Sequence, residues 1–541
     1  MYIESLKLET DNKFIKDYYN QIPKLMENFD YNPYEESIFH QRLTDLKHRT
    51  FQRDALVTVL EQLNVHWQAD KATLTRIQQL KEKESVVVIG GQQAGLLTGP
   101  LYTIHKIISI IQLAKKQERE LQVPVIPVFW VAGEDHDYDE INHVYLPEET
   151  TFKKITWYDQ VNDKLSVSHK KFDKEIGREW LREVFFHLEE SPFTKGLYEK
   201  MLRILEDSTS YTDFFAIFIQ YLFRGTGLVL IDSANEQVRK LESEYFQHMI
   251  KNQHVIAPNV QRQLQKLRLQ GYHISVEVKE DDGHLFIKHN NERILLKRSK
   301  DIWVGKNNEC SYSESELLEI AQNQPELLSN NVVTRPLMQE LLFPTLAFLG
   351  GPSEVGYWSI LKPLFETFSI SMPPVLPRAS ITIIEKKIKK ELTERSMELN
   401  DVIRNGVMDK KISWLESKTN KPLSLMEKNI KELIAKVHSP LRKEAEVLGV
   451  DILNYANKNL TYIENYVEDM VRRLQKEIES IHEKELRSFD LVEMHLHPDN
   501  GFQERVWNII YYLNKFGEDS LRVLLDAEME INDQHYIFHI Q

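Results

Sequence analysis

Three stretches of this chain hold residue types whose spacing suits chemistry on charged small molecules. Residues 89–106 read IGGQQAGLLTGPLYTIHK and follow a β-branched run at 85–89. Glycines between a strand and a helix permit positive φ and let backbone N–H groups approach a phosphate. Gly90, Gly91 and Gly99, with His105 and Lys106, are therefore candidate nucleotide-binding residues. No Gly-Lys-Ser/Thr follows, so this is not a Walker A loop, and it is not a clean GxGxxG. A tight turn with glycines kept for packing is the plain alternative. Residues 133–143, GEDHDYDEINH, crowd Glu134, Asp135, Asp137, Asp139 and Glu140 beside His136, Asn142 and His143. Like charges that close raise one another's pKa unless a cation compensates. Such a cluster could hold Mg²⁺ for a nucleotide, receive an ammonium group or, through its histidines, bind zinc; a solvated acidic loop is the plain alternative. Residues 350–354, GGPSE, open a helix whose free N–H groups favour an anion, with Pro352 at its first position. Glu354 and Tyr357 share one face of it. Arg335 could pair a substrate carboxylate bidentately or form a structural salt bridge.

These residues need a scaffold, and the composition bounds it. The chain has 541 residues, 42% hydrophobic and 10% aromatic, enough for a large core. Only 19 Gly and 19 Pro break it, which favours long helices over a turn-dense β-sandwich. The formal net charge of −14 makes nucleic-acid binding a poor default. One cysteine, Cys310, excludes an internal disulfide framework and Cys-cluster metal sites. No run of eighteen apolar residues exists, and the first residues lack the apolar core of a signal peptide. We therefore expect a cytoplasmic protein with no membrane span.

The runs at 85–89 and 123–132 read as buried parallel strands, and with the intervening helix they make a βαβ unit. Ligands of open α/β sheets bind at the carboxyl ends of the strands, where all three stretches would lie. A third strand is expected at 227–231, ending in Asp232, and a small antiparallel meander at 272–305 from HISVEVK, GHLFIKH and RILLKR. Residues 150–210 read as an insertion without a strong strand. From Leu453 the apolar positions Ala456, Leu460, Ile463, Val467, Met470 and Leu474 form a heptad seam, with a stutter at Ile478. The stretch Ile384, Ile388, Leu392, Leu399 and Val402 could be its antiparallel partner. We expect a Rossmann-like α/β core over 1–382 with insertions near 150–210 and 270–330. A helical coiled coil over 383–487 and a segment over 488–541 returning to the core complete the plan.

Residues 98–105, TGPLYTIH, resemble the HIGH-type motif of class I aminoacyl-tRNA synthetases, with Tyr102 in place of the first histidine and Ile104 in place of the glycine. The strings IGGQQAGLLTGPLYTIHK, FWVAGEDHDYDEINH, GLVLIDSA, TRPLMQELLFPTLAFLGGPSEVGYW and PDNGFQER, in this order, resemble the BshC family of bacillithiol biosynthesis across essentially the whole chain. The resemblance implies a synthetase-like Rossmann core with two connecting-peptide insertions and a coiled coil that makes a homodimer. It implies a carbon–nitrogen ligase adding L-cysteine to the amine of glucosaminyl-malate, with ATP or another nucleotide as activating donor. Mg²⁺ could accompany the nucleotide, and an ADP-type second pocket away from the core is also implied. On that footing the candidate catalytic residues are His105, Glu134, Asp135 and Asp137. The candidate substrate contacts are Gln92, Gln93, Thr98, Tyr102, His136, Asn142, Arg335, Ser353, Glu354 and Tyr357. No metal ligand set is assigned, and neither nucleic acid nor membrane is expected as a partner. A catalytically degenerate coiled-coil scaffold and a tRNA-handling synthetase relative are the alternative readings.

Overall fold

The strand β2 (Val86–Gln92) explains why the molecule folds as it does: six of its seven residues are wholly enclosed. A strand apolar on both faces has to lie inside a parallel sheet covered on both sides. The computed structural model describes residues 1–158 and 165–540. In it β2 pairs in parallel with β3 (Val125–Val131), and β3 with β6 (Val229–Asp232). On its other side β2 pairs in parallel with β12 (Thr345–Gly350), and β12 with β13 (Val375–Pro377). The sheet order is β13-β12-β2-β3-β6. The chain thus builds outward from β2 in one direction, then returns to build in the other. Strand order reverses between β2 and β12, the position at which such sheets open toward a ligand.

The helix Tyr102–Leu121 follows β2 and buries Ile104, Ile107, Ile108 and Ile111 along one face. Gly90 and Gly91 lie inside β2 rather than in the loop after it. A Cβ on Gly90 would sit 2.5 Å from the carbonyl of Leu349 on β12, and one on Gly91 would sit 2.4 Å from that of Trp130 on β3. Their lack of a side chain serves the close approach of three strands, which corrects the expectation that they cradle a phosphate.

A second sheet, order β10-β9-β8-β7-β11, contains β7 (Asp282–His289), β8 (Glu292–Ser299), β9 (Ile302–Gly305), β10 (Ser311–Ser313) and β11 (Leu328–Asn330). Its pairs are all antiparallel. The meander was expected to include HISVEVK at 273–279, but that stretch joins no strand. Its Ile274 and Val278 are buried in the main core, so packing takes the place of pairing. A third sheet, order β1-β15-β14, sets β15 (Gln534–Ile540) between β1 (Tyr2–Lys7) and β14 (Ser380–Glu385). The insertion near 150–210 is less strand-poor than expected, since β4 (His143–Glu148) and β5 (Thr151–Thr156) flank its start. Three helices follow, Lys174–Phe186, Thr194–Asp207 and Tyr211–Leu222. Residues 159–164 of that expectation lie outside the described residues.

The chain divides into two units, one of Met1–Leu146, Lys153–Ile383 and Gln503–Gln541, the other of Pro147–Phe152 and Ile384–Phe502. In the second unit the helices Leu423–Leu448 and Val450–Ile481 meet at Gly449, whose φ of 128° makes the reversal. His438 Nε2 meets Asn459 Oδ1 at 3.1 Å and Lys431 pairs with Glu468, an antiparallel register. The partner of the heptad helix is therefore its immediate neighbour, not the 384–402 stretch. That earlier stretch turns Ile388 and Leu392 inward on the helix Lys386–Glu394, which packs against Glu483–Leu496. Leu453, Ala456, Leu460, Ile463 and Val467 are half-buried as the seam requires, but Met470 and Leu474 are exposed and Val471 takes over. The four-residue step comes at 467–471, earlier than the periodicity predicts. Among the described residues no helix is long and apolar enough to cross a membrane.

The crowding at β2 gives a direct check. Gly91→Ala should cost about 1–3 kcal/mol through overpacking, measured as a lower urea midpoint with an unchanged denaturant slope.

Candidate active site at the strand-order reversal

Lys106 stands in the second turn of the helix after β2, and its side chain is 2% exposed. Its ammonium donates to the carbonyl of Gly91 at 2.7 Å, to Gln92 Oε1 at 3.1 Å and to Glu354 Oε2. All three donors are thus spent across the gap between β2 and β12. Glu354 Oε2 also accepts the Gly351 N–H at 2.7 Å, closing a box at the start of the helix Pro352–Trp358. Burial alone would raise the Glu354 carboxyl, but Lys106 and Arg335 hold it below its ordinary value. Burial lowers the Lys106 ammonium even against its carboxylate partner. Arg335 donates to Tyr357 Oη at 2.6 Å.

Next to Gln92, the Gln93 amide donates to Asp135 Oδ2 at 2.7 Å and to Glu140 Oε2 at 2.8 Å. Asp135 Oδ1 accepts the His136 N–H at 2.8 Å and lies 3.7 Å from Arg293 Nη1. Burial opposes ionisation there, yet Gln93 and Arg293 keep the Asp135 carboxyl below its ordinary value. Gln92, Lys106 and Glu354 thus form one hydrogen-bonded cluster and Gln93, Asp135 and Glu140 a second, while the Arg335–Tyr357 pair acts on Glu354 through charge. Tyr102 is half-buried and feels the charges of Arg505, Glu140, Arg378 and Glu354, so it faces the same region.

Other expected residues are placed differently. Glu134 is buried and paired with Arg239, which also holds Glu242 at 2.6 Å. Asp137 is exposed, and among the described residues it has no hydrogen bond to the others, so the site does not gather it. Ser353 is likewise exposed. Asn142 turns to its own loop, meeting Asp139 at 3.4 Å and His143 at 3.2 Å. His136 lies beside Asp135 and 3.4 Å from Arg293. Thr98 is fully enclosed with a φ of 78°, strained for a β-branched residue. Among the described residues no group of three His, Cys, Asp or Glu side chains is placed to hold a metal ion.

The glycine loop is not an open anion cradle. Gly95 N–H donates to Gln93 O, Gly99 N–H to Leu96 O, Leu101 N–H to Trp507 O and Thr103 N–H to Pro100 O. Asn508 Nδ2 donates to the carbonyls of Leu97 and Gly99, at 3.1 and 2.8 Å. His105 has no exposed surface, and its Nδ1 meets Glu504 Oε2 at 2.8 Å. Arg378 grips the same carboxylate through two bonds of 2.8 and 2.6 Å. Burial would raise Glu504, but Arg378 and His105 hold it far below its ordinary value. Being ionised, Glu504 must accept, so His105 carries its proton on Nδ1. Burial keeps this imidazole below its ordinary pKa. Sequence reasoning missed Glu504, Arg378, Arg239, Arg293 and Asn508. The one signal was the string PDNGFQER, which ends at Arg505 and looks like any loop until its position is known.

Comparison with known proteins fits this architecture. A family model described as bacillithiol biosynthesis BshC, N-terminal Rossmann-like domain, matches residues 1–379. A second, described as bacillithiol biosynthesis BshC, C-terminal coiled-coil domain, matches residues 381–540. The chain belongs to the BshC family. A relative from Oceanobacillus iheyensis, named "Putative cysteine ligase BshC", is 40% identical over 543 residues and 99% of both chains. One of the same name from Geobacillus sp. strain WCH70 is 39% identical over 542 residues and 100% of both. A solved chain described as a "putative arginyl t-RNA synthetase" from Campylobacter jejuni covers 89% of this chain and all of its own. Its TM-score is 0.23 at 10% identity, and nothing here rests on it. In this BshC chain the first four strings that signalled the family are the ones the parallel sheet gathers, while the last, PDNGFQER, leads into Trp507 and Asn508, which strap the first.

The buried imidazoles make stability pH-dependent. Burial pushes His284 and His535 down to about 4 from an ordinary 6.5. Below pH 6.5 the unfolded chain binds more protons than the fold, so stability present above that pH is lost as pH falls toward 4. Urea midpoints should decline over this window, and His535→Gln should flatten the decline.

Proposed function

We propose that this chain is a cytoplasmic cysteine ligase of bacillithiol biosynthesis, joining the carboxyl of L-cysteine to the amine of glucosaminyl-malate. Full-length identity of about 40% to relatives named as cysteine ligases carries this reading. A free carboxylate does not acylate an amine at neutral pH, so a donor such as ATP, with Mg²⁺, activates it. Asp135 is the carboxylate best placed to receive the incoming amine. It is one-third exposed, whereas Glu134 is enclosed on Arg239. Ionised, it can pair with the substrate ammonium and accept one of its protons, so that the freed amine lone pair attacks the activated cysteine carboxyl and the activating group leaves as the C–N bond forms. Lys106, Arg335 and Glu354 set the charge at the neighbouring strand end.

The ADP-type second pocket has a candidate away from this region. A cavity of about 1170 Å³ is lined by Tyr34, Lys115, Lys116, Arg119 and the 525–531 loop. Tyr34 Oη and Gln117 Oε1 are buried on its wall without hydrogen-bond partners among the described residues. That volume suits a nucleotide.

The chain acts as a homodimer in this reading. Leu433, Val437 and Leu441 are 62–70% exposed at four-residue spacing on one long helix, and Tyr455, Tyr462 and Tyr466 are 62–75% exposed on the other. Apolar stripes of this extent on a helical hairpin are partner surfaces. Sedimentation of the purified protein should give twice the chain mass, and Val437→Glu with Tyr466→Glu should give a monomer.

Purified protein incubated with glucosaminyl-malate, cysteine and ATP should give the cysteinyl adduct by mass spectrometry. Asp135→Asn should slow its formation by about 10²–10⁴-fold. No adduct with any nucleotide would reject the reading.

A further inference from the structure

A second hollow lies beside Glu134, where the chain leaves β3 and β6, under the antiparallel sheet. Its volume is about 40 Å³, and its lining includes Glu134, Ala234, Lys288, Asn291, Arg293 and Glu326. At roughly 10–15 Å³ for each water it admits about three, the bulk of a small amino acid and too little for a sugar or nucleotide.

The lining carries both signs of charge. Arg293 is fixed before any ligand arrives. Its Nε donates to Ser329 Oγ at 3.0 Å and its Nη2 to Asn330 O at 2.7 Å, and the guanidinium lies 3.7 Å over the Phe286 ring. Both acceptors are neutral, Nη1 lies 3.4 Å from His136 Nδ1 and 3.7 Å from Asp135 Oδ1, and the charges of Glu134 and Asp135 both act on the guanidinium. Lys288, Asn291 and Glu326 line the hollow, and among the described residues their side chains have no hydrogen bond or ion pair. Glu134 gives Oε2 to Arg239, and among the described residues its Oε1 has no hydrogen bond. Ala234 and Leu327 supply an apolar wall. A small ligand with one anionic end, one cationic end and a short apolar arm matches this set, and a free α-amino acid is that ligand.

We infer that this hollow holds the L-cysteine substrate, its carboxylate on Arg293 and Lys288, its ammonium on Glu134 and Glu326, and its CH₂–SH against Ala234 and Leu327. This rests on the ligase reading above and adds how cysteine is held with no metal. Arg293 touches both the hollow and Asp135, so the cysteine carboxyl lies beside the group that receives the amine. Recognition by opposite charges at both ends demands an intact α-amino acid.

Calorimetric titration of the full chain tests this. L-cysteine should bind, while cysteamine, which lacks the carboxylate, and 3-mercaptopropionate, which lacks the amine, should each bind at least 10-fold more weakly. Arg293→Gln should weaken cysteine at least 10-fold. The exposed Lys288→Glu, which leaves the core untouched, should do the same without changing affinity for glucosaminyl-malate. Cysteamine binding as well as cysteine, or unchanged cysteine affinity in both variants, would overturn the assignment. Cysteine bound as expected with no adduct formed would reject the ligase reading alone. Adduct formed with an unaltered cysteine KM in both variants would reject the hollow alone.

Discussion

An ammonium with three donors, enclosed at the edge of a parallel sheet, has to find three acceptors, and Lys106 finds them on both sides of the strand-order reversal. Gly91 and Gln92 belong to one strand end, and Glu354 to a helix that starts after another strand, some 250 residues later in sequence. Buried pairs of this kind contribute little net stability because desolvation offsets their attraction, whereas removing one partner leaves a costly lone charge. Their effect is geometric. The spacing of β2 and β12 is held by this pair, and Arg335, Tyr357 and the Gly351 amide take their places around it.

The same device recurs nearby with other chain segments. Arg378, just past β13, and His105, after β2, share the carboxylate of Glu504, which arrives from the last forty residues. Glu134, after β3, meets Arg239, from the helix after β6. Excess acid around that arginine shows in the titration of its neighbours: burial lifts Asp232 to about 6 and Glu242 to about 7 despite the guanidinium. Each strand end on the ligand side is thus tied to a distant stretch by charge, and apolar packing alone would leave those ends free to splay.

Three of the five parallel strands, β2, β3 and β6, were legible because an all-buried strand needs a near-continuous apolar run, and 85–89, 123–132 and 227–231 have one. The loops that matter were legible by glycine and acid content. Their counter-charges were not. Arg239 sits in a long helix and Arg293 in a strand, where an isolated arginine looks like any solvated charge, and nothing local marks Glu504 as a histidine's partner. Gly90 and Gly91 show why residue type misleads: the absent side chain that admits a phosphate also admits a neighbouring carbonyl. The heptad seam was legible to Val467, but its partner was misplaced, since hydrophobic spacing does not say which helix lies opposite. One glycine at 449 decided that. The 273–279 run alternated like a strand and then packed instead of pairing, because Ile274 and Val278 had a core within reach.

Gln503 has one more consequence. Its side-chain amide accepts from the Ile383 N–H at 2.7 Å and donates to the Ile383 carbonyl at 2.8 Å, as a neighbouring strand would. The chain therefore leaves for its long helices after Ile383 and returns at Gln503, with both strap and last strand still to follow. A change in the length of that helical excursion therefore leaves the Ile383–Gln503 pairing, and the strands that follow from it, in the same register.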